Sequence, residues 1–437
     1  MHPVARAITV LTSLFVATSR HPPPAHAQRA TIDEIVEHLR SGVGALETGD
    51  TAGYLASTRR AYALAPGLPF VAYHHARAHA LAGRRDSALT LLGRLAREQS
   101  VIAFDAPADS AFTRLVGDPA FRPVVAAIER ARRPISQSTT AFELPERDLI
   151  AEGVAHDPRT GTLFLSSMYK RKIVAIAPDG TARDFVATGA DGLGPVVGME
   201  VDPSSRTLWA AAMYLPEGGI PFPDSTLMAH GVLFKYDVDT GRLLKRYVRA
   251  PGEHRHGFND LTVLPNGDTY VTDSQAGGVF LVSEKGDTLV QIVPAGTYIF
   301  PNGITATDDG RRLFVAHGEG IDRIDLPSYR RTRIAGPDSL NLGGADGLAF
   351  YRNSLIAHQA FGFNRVIRFY LNRNQDRVER ADILDRHHPR FDFPTTGEVA
   401  GSTYYYLANA QLRAFRDGKI LPWEELDPVL ILKTDLR

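Results

Sequence analysis

Cysteine is absent from the 437 residues. That removes disulfides, thiolate metal sites and cysteine nucleophiles from consideration. Net charge is absent too: 49 Lys and Arg balance 49 Asp and Glu. No electrostatic argument therefore favours nucleic acid or an anionic surface as a partner. No glycine-rich loop leads from a strand into a helix, which leaves nucleotide chemistry without support; "HGEG" at 317–320 reads as a turn. No apolar run is long enough to cross a bilayer as a helix of the mature chain. The run "AITVLTSLFVA" (7–17) follows Arg6 and precedes "AHA" at 25–27. This is the layout of a cleaved export signal over 1–27. The expectation is a periplasmic or secreted protein, where calcium reaches the levels that weak oxygen-ligand sites need.

What the chain does have is length and turns. Its size predicts two domains, and 38 Gly with 28 Pro suit many tight turns. From Ile32 to about Arg130 the hydrophobic period is helical. Gly49 and Gly83 are 34 residues apart, each followed five residues later by a packing position, Tyr54 or Ala88. This spacing resembles the tetratricopeptide repeat, whose usual partners are peptides or protein surfaces. A small all-helical domain over 30–135 is expected, serving either as a cap on the larger domain or as a recruiter of a protein or peptide. Residues 136–149, rich in Ser, Thr and Pro, read as a linker or a closing strand.

Beyond residue 150 strand pairs recur. "EGVAHDPRTGTLFLSS" (152–167), "NDLTVLPNGDTYVTDS" (259–274), "NGITATDDGRRLFVAHG" (302–318) and "DGLAFYRNSLIAHQ" (346–359) share one shape. Each has a polar residue, a short apolar strand, a turn and a second strand. "GMEVDPSSRTLWAAAM" (198–213) repeats it, and "GSTYYYLANAQLRAFRDG" (401–418) supplies part of a sixth unit. Six units recurring about every 43 to 60 residues predict an all-β, six-bladed propeller over 150–430.

Aligned on their turns, the units place Glu152, Val197, Asn259, Asn302 and Asp346 in one register. Innermost propeller strands start around one mouth of the central channel, so four of these residues aim oxygen donors at one axial point. Any one alone reads equally well as a turn cap. Together, two carboxylates and two carboxamides suit a single central Ca²⁺, or another divalent ion, better than zinc, which favours His and Cys.

This register, with "EG", "FND", "PNGI" and "ADGL", resembles the senescence-marker protein/gluconolactonase family of six-bladed propellers. It is also similar to the related diisopropylfluorophosphatase and paraoxonase enzymes. The resemblance covers roughly 150–430 and implies a catalytic calcium at Glu152, Asn259, Asn302 and Asp346. It further implies lactonase, esterase or phosphotriesterase activity on a small molecule. Two departures stand out. Gly257 occupies the position where gluconolactonase-like members carry an arginine for a polar sugar lactone. Gly347 follows Asp346 where paraoxonase-like members carry a second amide ligand.

Asp346 is the carboxylate expected to orient or activate the nucleophile. Strand ends returning to the same mouth carry Asp273, His317 and His358. The two histidines are candidate proton shuttles, and Asp273 and His256 are candidate substrate contacts. Met168, Tyr214 and Phe361 are candidate apolar pocket residues, and the Pro/Gly-rich segment 212–231 a candidate rim or lid. The expected function is calcium-dependent hydrolysis of a lactone or ester. The alternative is a non-catalytic propeller that binds a peptide or polysaccharide, with calcium as a structural pin.

Overall fold

The computed structural model describes residues 31–214, 225–416 and 419–437. The candidate export signal and half of the candidate lid segment, residues 215–224, lie outside the described residues. No described helix is long and apolar enough to cross a membrane.

Five helices come first: α1 Thr31–Glu47, α2 Thr51–Leu64, α3 Pro69–Leu81, α4 Arg85–Arg97 and α5 Arg122–Ala131. Two helical hairpins result, and the turn of each needs a glycine, because Gly49 and Gly83 sit at φ 80° and 72°. Asp50 caps α2 by accepting from Gly53 N at 2.8 Å. Helix α3 is buried nearly all round, with Val71, Ala72, Tyr73, His74, His75, Ala76 and Ala80 inside, so it sits within the bundle.

After α5 the chain makes two strands, β1 Ile135–Ser136 and β2 Thr139–Leu144. Blade 1 is β3 Val154–His156, β4 Leu163–Ser167, β5 Lys172–Ile176 and β6 Ala182–Val186. Blade 2 is β7 Val196–Asp202, β8 Thr207–Met213, β9 Gly231–Asp237 and β10 Leu243–Arg249. Blade 3 is β11 Phe258–Val263, β12 Thr269–Asp273, β13 Gly278–Val282 and β14 Leu289–Val293. Blade 4 is β15 Ile304–Ala306, β16 Arg312–His317, β17 Gly320–Asp325 and β18 Arg330–Arg333. Blade 5 holds β19 Leu348–Tyr351, β20 Ser354–Gln359, β21 Arg365–Leu371 and β22 Val378–Arg386, with β1 as its fifth, outermost strand. Blade 6 holds β23 Gly397–Ala400, β24 Thr403–Leu407 and, after a short β25–β26 ribbon (Phe415–Arg416, Lys419–Ile420), β27 Val429–Asp435. Its outer strand is β2. The protein is thus a six-bladed β-propeller preceded by an all-helical domain.

The burial pattern follows from blade position. Strands β4, β5 and β12 are buried throughout, whereas β10 and β18 at the rim are mostly exposed and β14 partly so. Middle strands such as β5 therefore carry apolar runs, and the rim strands β10 and β18 carry Lys and Arg that discourage edge pairing. The innermost strands contact one another in a closed ring, blade 6 returning to blade 1. Residues 135–144 fasten that ring from outside. Asp385, fully buried, accepts from Gln137 N at 2.9 Å, Ser138 N at 3.3 Å and Tyr406 Oη at 2.9 Å.

The helical domain sits against the propeller face where the inner strands begin. Ser100 Oγ donates to Gly362 O at 2.8 Å, and Asn341 Nδ2 donates to Gly67 O at 3.0 Å and to Glu98 Oε2 at 3.1 Å. Arg386 donates to Gln99 Oε1 at 2.6 Å. Ile32, Leu68 and Val71 share a core with Ile299 of the propeller.

Candidate functional site

Glu152, Asn302 and Asp346 each stand two residues before an inner strand, at Val154, Ile304 and Leu348. Each is followed by glycine, and the reason is steric. A Cβ on Gly153 would lie 2.0 Å from Val197 O of the next blade. One on Gly303 would lie 2.6 Å from Leu348 N, and one on Gly347 2.6 Å from Thr396 Cα. Gly198 is pressed in the same way against Asn259 O of blade 3, at 2.5 Å. The glycines let the inner strands close on the axis. Blade 3 is the exception: Asp260 follows Asn259, in a strand whose register shifts between Phe258 and Leu261. Its carboxylate is taken into the channel, where it accepts from Leu261 N at 3.0 Å and Ile304 N at 3.4 Å.

The four oxygen-donor residues are all buried, at 9% exposure for Glu152, 4% for Asn259, 5% for Asn302 and 6% for Asp346. Asn302 Nδ2 donates to Asp346 Oδ1. Asn259 Nδ2 donates to Ser274 Oγ at 3.0 Å, and that hydroxyl donates onward to Pro301 O at 2.6 Å. The carboxamide is thereby locked, and its Oδ1 is buried without a partner. A buried acceptor left unpaired costs free energy, so such an atom is a pointer to a missing ligand.

The electrostatics agree. Burial first, then the charges of Asp346 and Asp260, hold the Glu152 carboxyl well above the usual carboxylate range. Burial and the charge of Asp260 push Asp346 up to about 7, against the smaller opposing effect of the Asn302 hydrogen bond. Acidic groups crowded in a buried channel are what a bound cation would relieve. Among the described residues no three His, Cys, Asp or Glu side chains converge as a metal-binding group. A cation here would therefore depend on the two carboxamides as much as on the two carboxylates, a hard-oxygen set.

The candidate shuttles are held. His358 is fully buried, with Nδ1 3.1 Å from Pro394 O and Nε2 2.7 Å from Tyr404 Oη, and burial lowers it to about 3. It is a neutral wall residue with both nitrogens engaged. His317 is stacked on Tyr298, accepts from Glu319 N at 3.3 Å and lies 3.4 Å from Asp322, with burial lowering its pKa. His256 Nδ1 is 2.5 Å from Asp273 Oδ2, and Asp273 also accepts from Gly257 N and Ala276 N, both at 3.0 Å. This pair builds the turn that delivers Asn259.

Of the apolar candidates, only Phe361 lines a cavity beside the donors. Met168 and Tyr214, expected at the pocket, are instead packed in blade cores; Tyr214 is fully buried and donates to Gly192 O at 2.7 Å.

Two features escape sequence reasoning. A cavity of about 60 Å³ touches Asn302 and Asp346 and is roofed by Ile32, Leu68 and Phe70 of the helical domain. At the opposite end of the channel a larger opening of about 770 Å³ is lined by Glu200, Asp260 and Glu398. Burial raises all three carboxyls, Asp260 to about 7 and Glu398 to about 8. The signal for Asp260 was present: it breaks the run of glycines in that register.

No protein-family model and no curated protein matches the chain. Solved structures are similar to it. A gluconolactonase from Xanthomonas campestris is 16% identical, over 69% of this chain and 98% of that one, with a TM-score of 0.46. A calcium-binding protein, regucalcin, from Agrobacterium tumefaciens is 14% identical over 67% and 93%, at 0.44. A virginiamycin B lyase from Staphylococcus aureus is 15% identical over 63% and 82%, at 0.43.

Proposed function

We propose that the protein is a divalent-cation-dependent hydrolase of a lactone or ester, with Ca²⁺ held by Glu152, Asn259, Asn302 and Asp346. The observation that carries this reading is Asn259 Oδ1, a locked and partnerless acceptor in the same ring as two carboxylates. When bound, the ion supplies Lewis acidity to the scissile carbonyl oxygen.

The chain's own residues account for the rest. Asp346 is the one carboxylate of the ring that borders the roofed cavity, so it is the group placed to orient water beside a bound carbonyl. Hydrolysis forms a bond from the water oxygen to the carbonyl carbon and breaks the carbon–oxygen bond to the leaving alcohol. The water proton passes by way of Asp346 to the departing alkoxide. Asn302 Nδ2, donating to Asp346 Oδ1, fixes the carboxylate plane. Ile32, Leu68 and Phe70 cover the site and exclude bulk water.

The test is a panel of lactones, aryl esters and phosphotriesters assayed with and without chelator, circular dichroism confirming that the fold persists. Turnover lost in chelator and restored by calcium is the expected result. Asp346→Asn should stay inactive even where bound calcium is restored. No turnover of any class by the calcium-loaded protein would overturn the reading and favour the calcium-pinned binding module.

A further inference from the structure

The small cavity over Asp346 does not end at its roof. Leu68, Phe70, Gly344 and Phe361 line it and also line a second cavity of about 290 Å³. This second space lies between the 3-10 turn Val101–Asp105 of the helical domain and the propeller loops carrying Phe391 and Phe393. Ile102 and Phe104 form its helical side; Asn364, His387, Asp392 and Arg413 bring the polar groups. Its volume is at the lower end of small-molecule sites.

The chemistry of the lining is lopsided. Among the described residues around the cavity next to the donors, Asn302 and Asp346 are the only polar side chains; Ile32, Leu68, Phe70, Ile299, Phe300 and Phe361 make up the rest with alanine and glycine. Val197 is apolar at the ring position where other blades offer oxygen. The interface around the second cavity is otherwise tight, with Ser100 bound to Gly362 and Glu98 to Asn341 on its flanks. Close-packed interfaces leave few voids of this size without use.

We infer that the helical domain forms the outer wall of the substrate chamber and that the substrate is apolar-tailed. A medium-length alkyl or aryl group lies between Ile102, Phe104, Phe361 and Phe393, and its ester or lactone carbonyl reaches Asn302 and Asp346. The inference rests on the hydrolase reading for the reacting end and on the cavities for the tail. A polar sugar lactone would bury its hydroxyls against the apolar walls of the small cavity, where Asn302 and Asp346 alone offer partners, and such a lining disfavours it.

The experiment uses the calcium-loaded full chain and p-nitrophenyl esters from acetate to decanoate. Each added methylene buried should raise kcat/KM about three- to fourfold, until the chamber is full. Ile102→Trp, which fills the cavity, should cost the octanoate ester at least tenfold relative to the acetate ester, mainly in KM, and leave calcium affinity unchanged. Val101→Trp, on the same turn, is the second variant should the first not fold. Binding of 2-undecanone against 2-butanone, followed by calorimetry, reads the tail site without turnover. Preference for 2-undecanone, lost in the tryptophan variant, supports the chamber even if no ester is cleaved. Ester cleavage with no chain-length dependence and no effect of either variant would overturn the chamber and leave the hydrolase reading standing.

Discussion

Replacing Asp346 with asparagine should stabilise the metal-free protein and destabilise the calcium-loaded one. In the metal-free chain, burial and Asp260 raise the Asp346 carboxyl from 3.8 to about 7. A carboxyl raised on folding costs nothing below its unfolded value near 4, where both states are protonated. The cost grows through the interval and is complete above about 7, where both are ionised. A rise of about three units at 1.36 kcal/mol each sets a ceiling of about 4 kcal/mol. Glu152 and Asp260 remain crowded in the same buried channel, so one substitution should recover about 1–3 kcal/mol of it. Asparagine keeps the Oδ1 that accepts from Asn302, so little packing is lost. In chelator at pH 8 the variant should therefore melt a few degrees above the wild type, and the gap should shrink toward pH 4. Saturating calcium should reverse the order. The wild type gains about 2.7 kcal/mol at a hundredfold excess over Kd, and the variant gains less because its site has lost a charge. Thermal denaturation followed by circular dichroism in the two buffers reads both signs. Shifts of the same sign and size in chelator and calcium would show that Asp346 is no cation ligand.

Asp385→Ala strips the acceptor from Gln137 N, Ser138 N and Tyr406 Oη in a fully buried place; a loss of about 3–5 kcal/mol in urea titration is expected. Gly153→Ala sets a Cβ 2.0 Å from Val197 O and should cost about 3 kcal/mol or more by the same measurement, whereas Gly44→Ala, in α1 with nothing within 4 Å, should be neutral or stabilising by about 0.5–1 kcal/mol. Asp157 is bound by Arg206 at 2.7 Å and by Thr160 at 2.8 Å, and these bonds hold it down to about 2 against the opposing effect of burial. A carboxyl depressed on folding contributes its stability above the unfolded value near 4 and loses it as pH falls toward 2. Arg206→Gln should flatten stability over pH 2 to 4 and cost on the order of 2 kcal/mol at pH 7, read by urea titration across that range.

The register that names Glu152, Asn259, Asn302 and Asp346 was legible because a blade repeats its turn and its inner strand together. Once the turns align, the residue at the start of each inner strand is fixed to within a few positions, two before the strand for Glu152, Asn302 and Asp346 and just inside it for Asn259. Side-chain direction was less legible. Tyr214 sits just past the end of β8, as expected of a rim residue, yet it turns into the core of blade 2 to reach Gly192 O. His358 stands at a strand end too, and only the fold supplies Tyr404 and Pro394 as its partners. The helical hairpins were readable from Gly49 and Gly83, but nothing in a helical period says which propeller face it will cover. That answer lies in Asn341, Gly362 and Arg365, residues of the other domain.

The fastening of blade 6 has a consequence for the order in which the molecule can be made. Strand β2, at Thr139–Leu144, pairs with β27, at Val429–Asp435, and β27 pairs on its other side with β24. A chain emerging from its N-terminal end therefore exposes β2 long before its partner exists, and every other described strand is made before β27. Until then β2 and β24 each present an open edge, and the ring of inner strands has no clasp. Pairing over so long a separation is slow, and open edges in the interval invite the wrong neighbour. The Thr139-Thr140 start and Glu143 make β2 a poor template for aggregation while it waits, and the helical bundle, built from local contacts, is free to fold ahead of it.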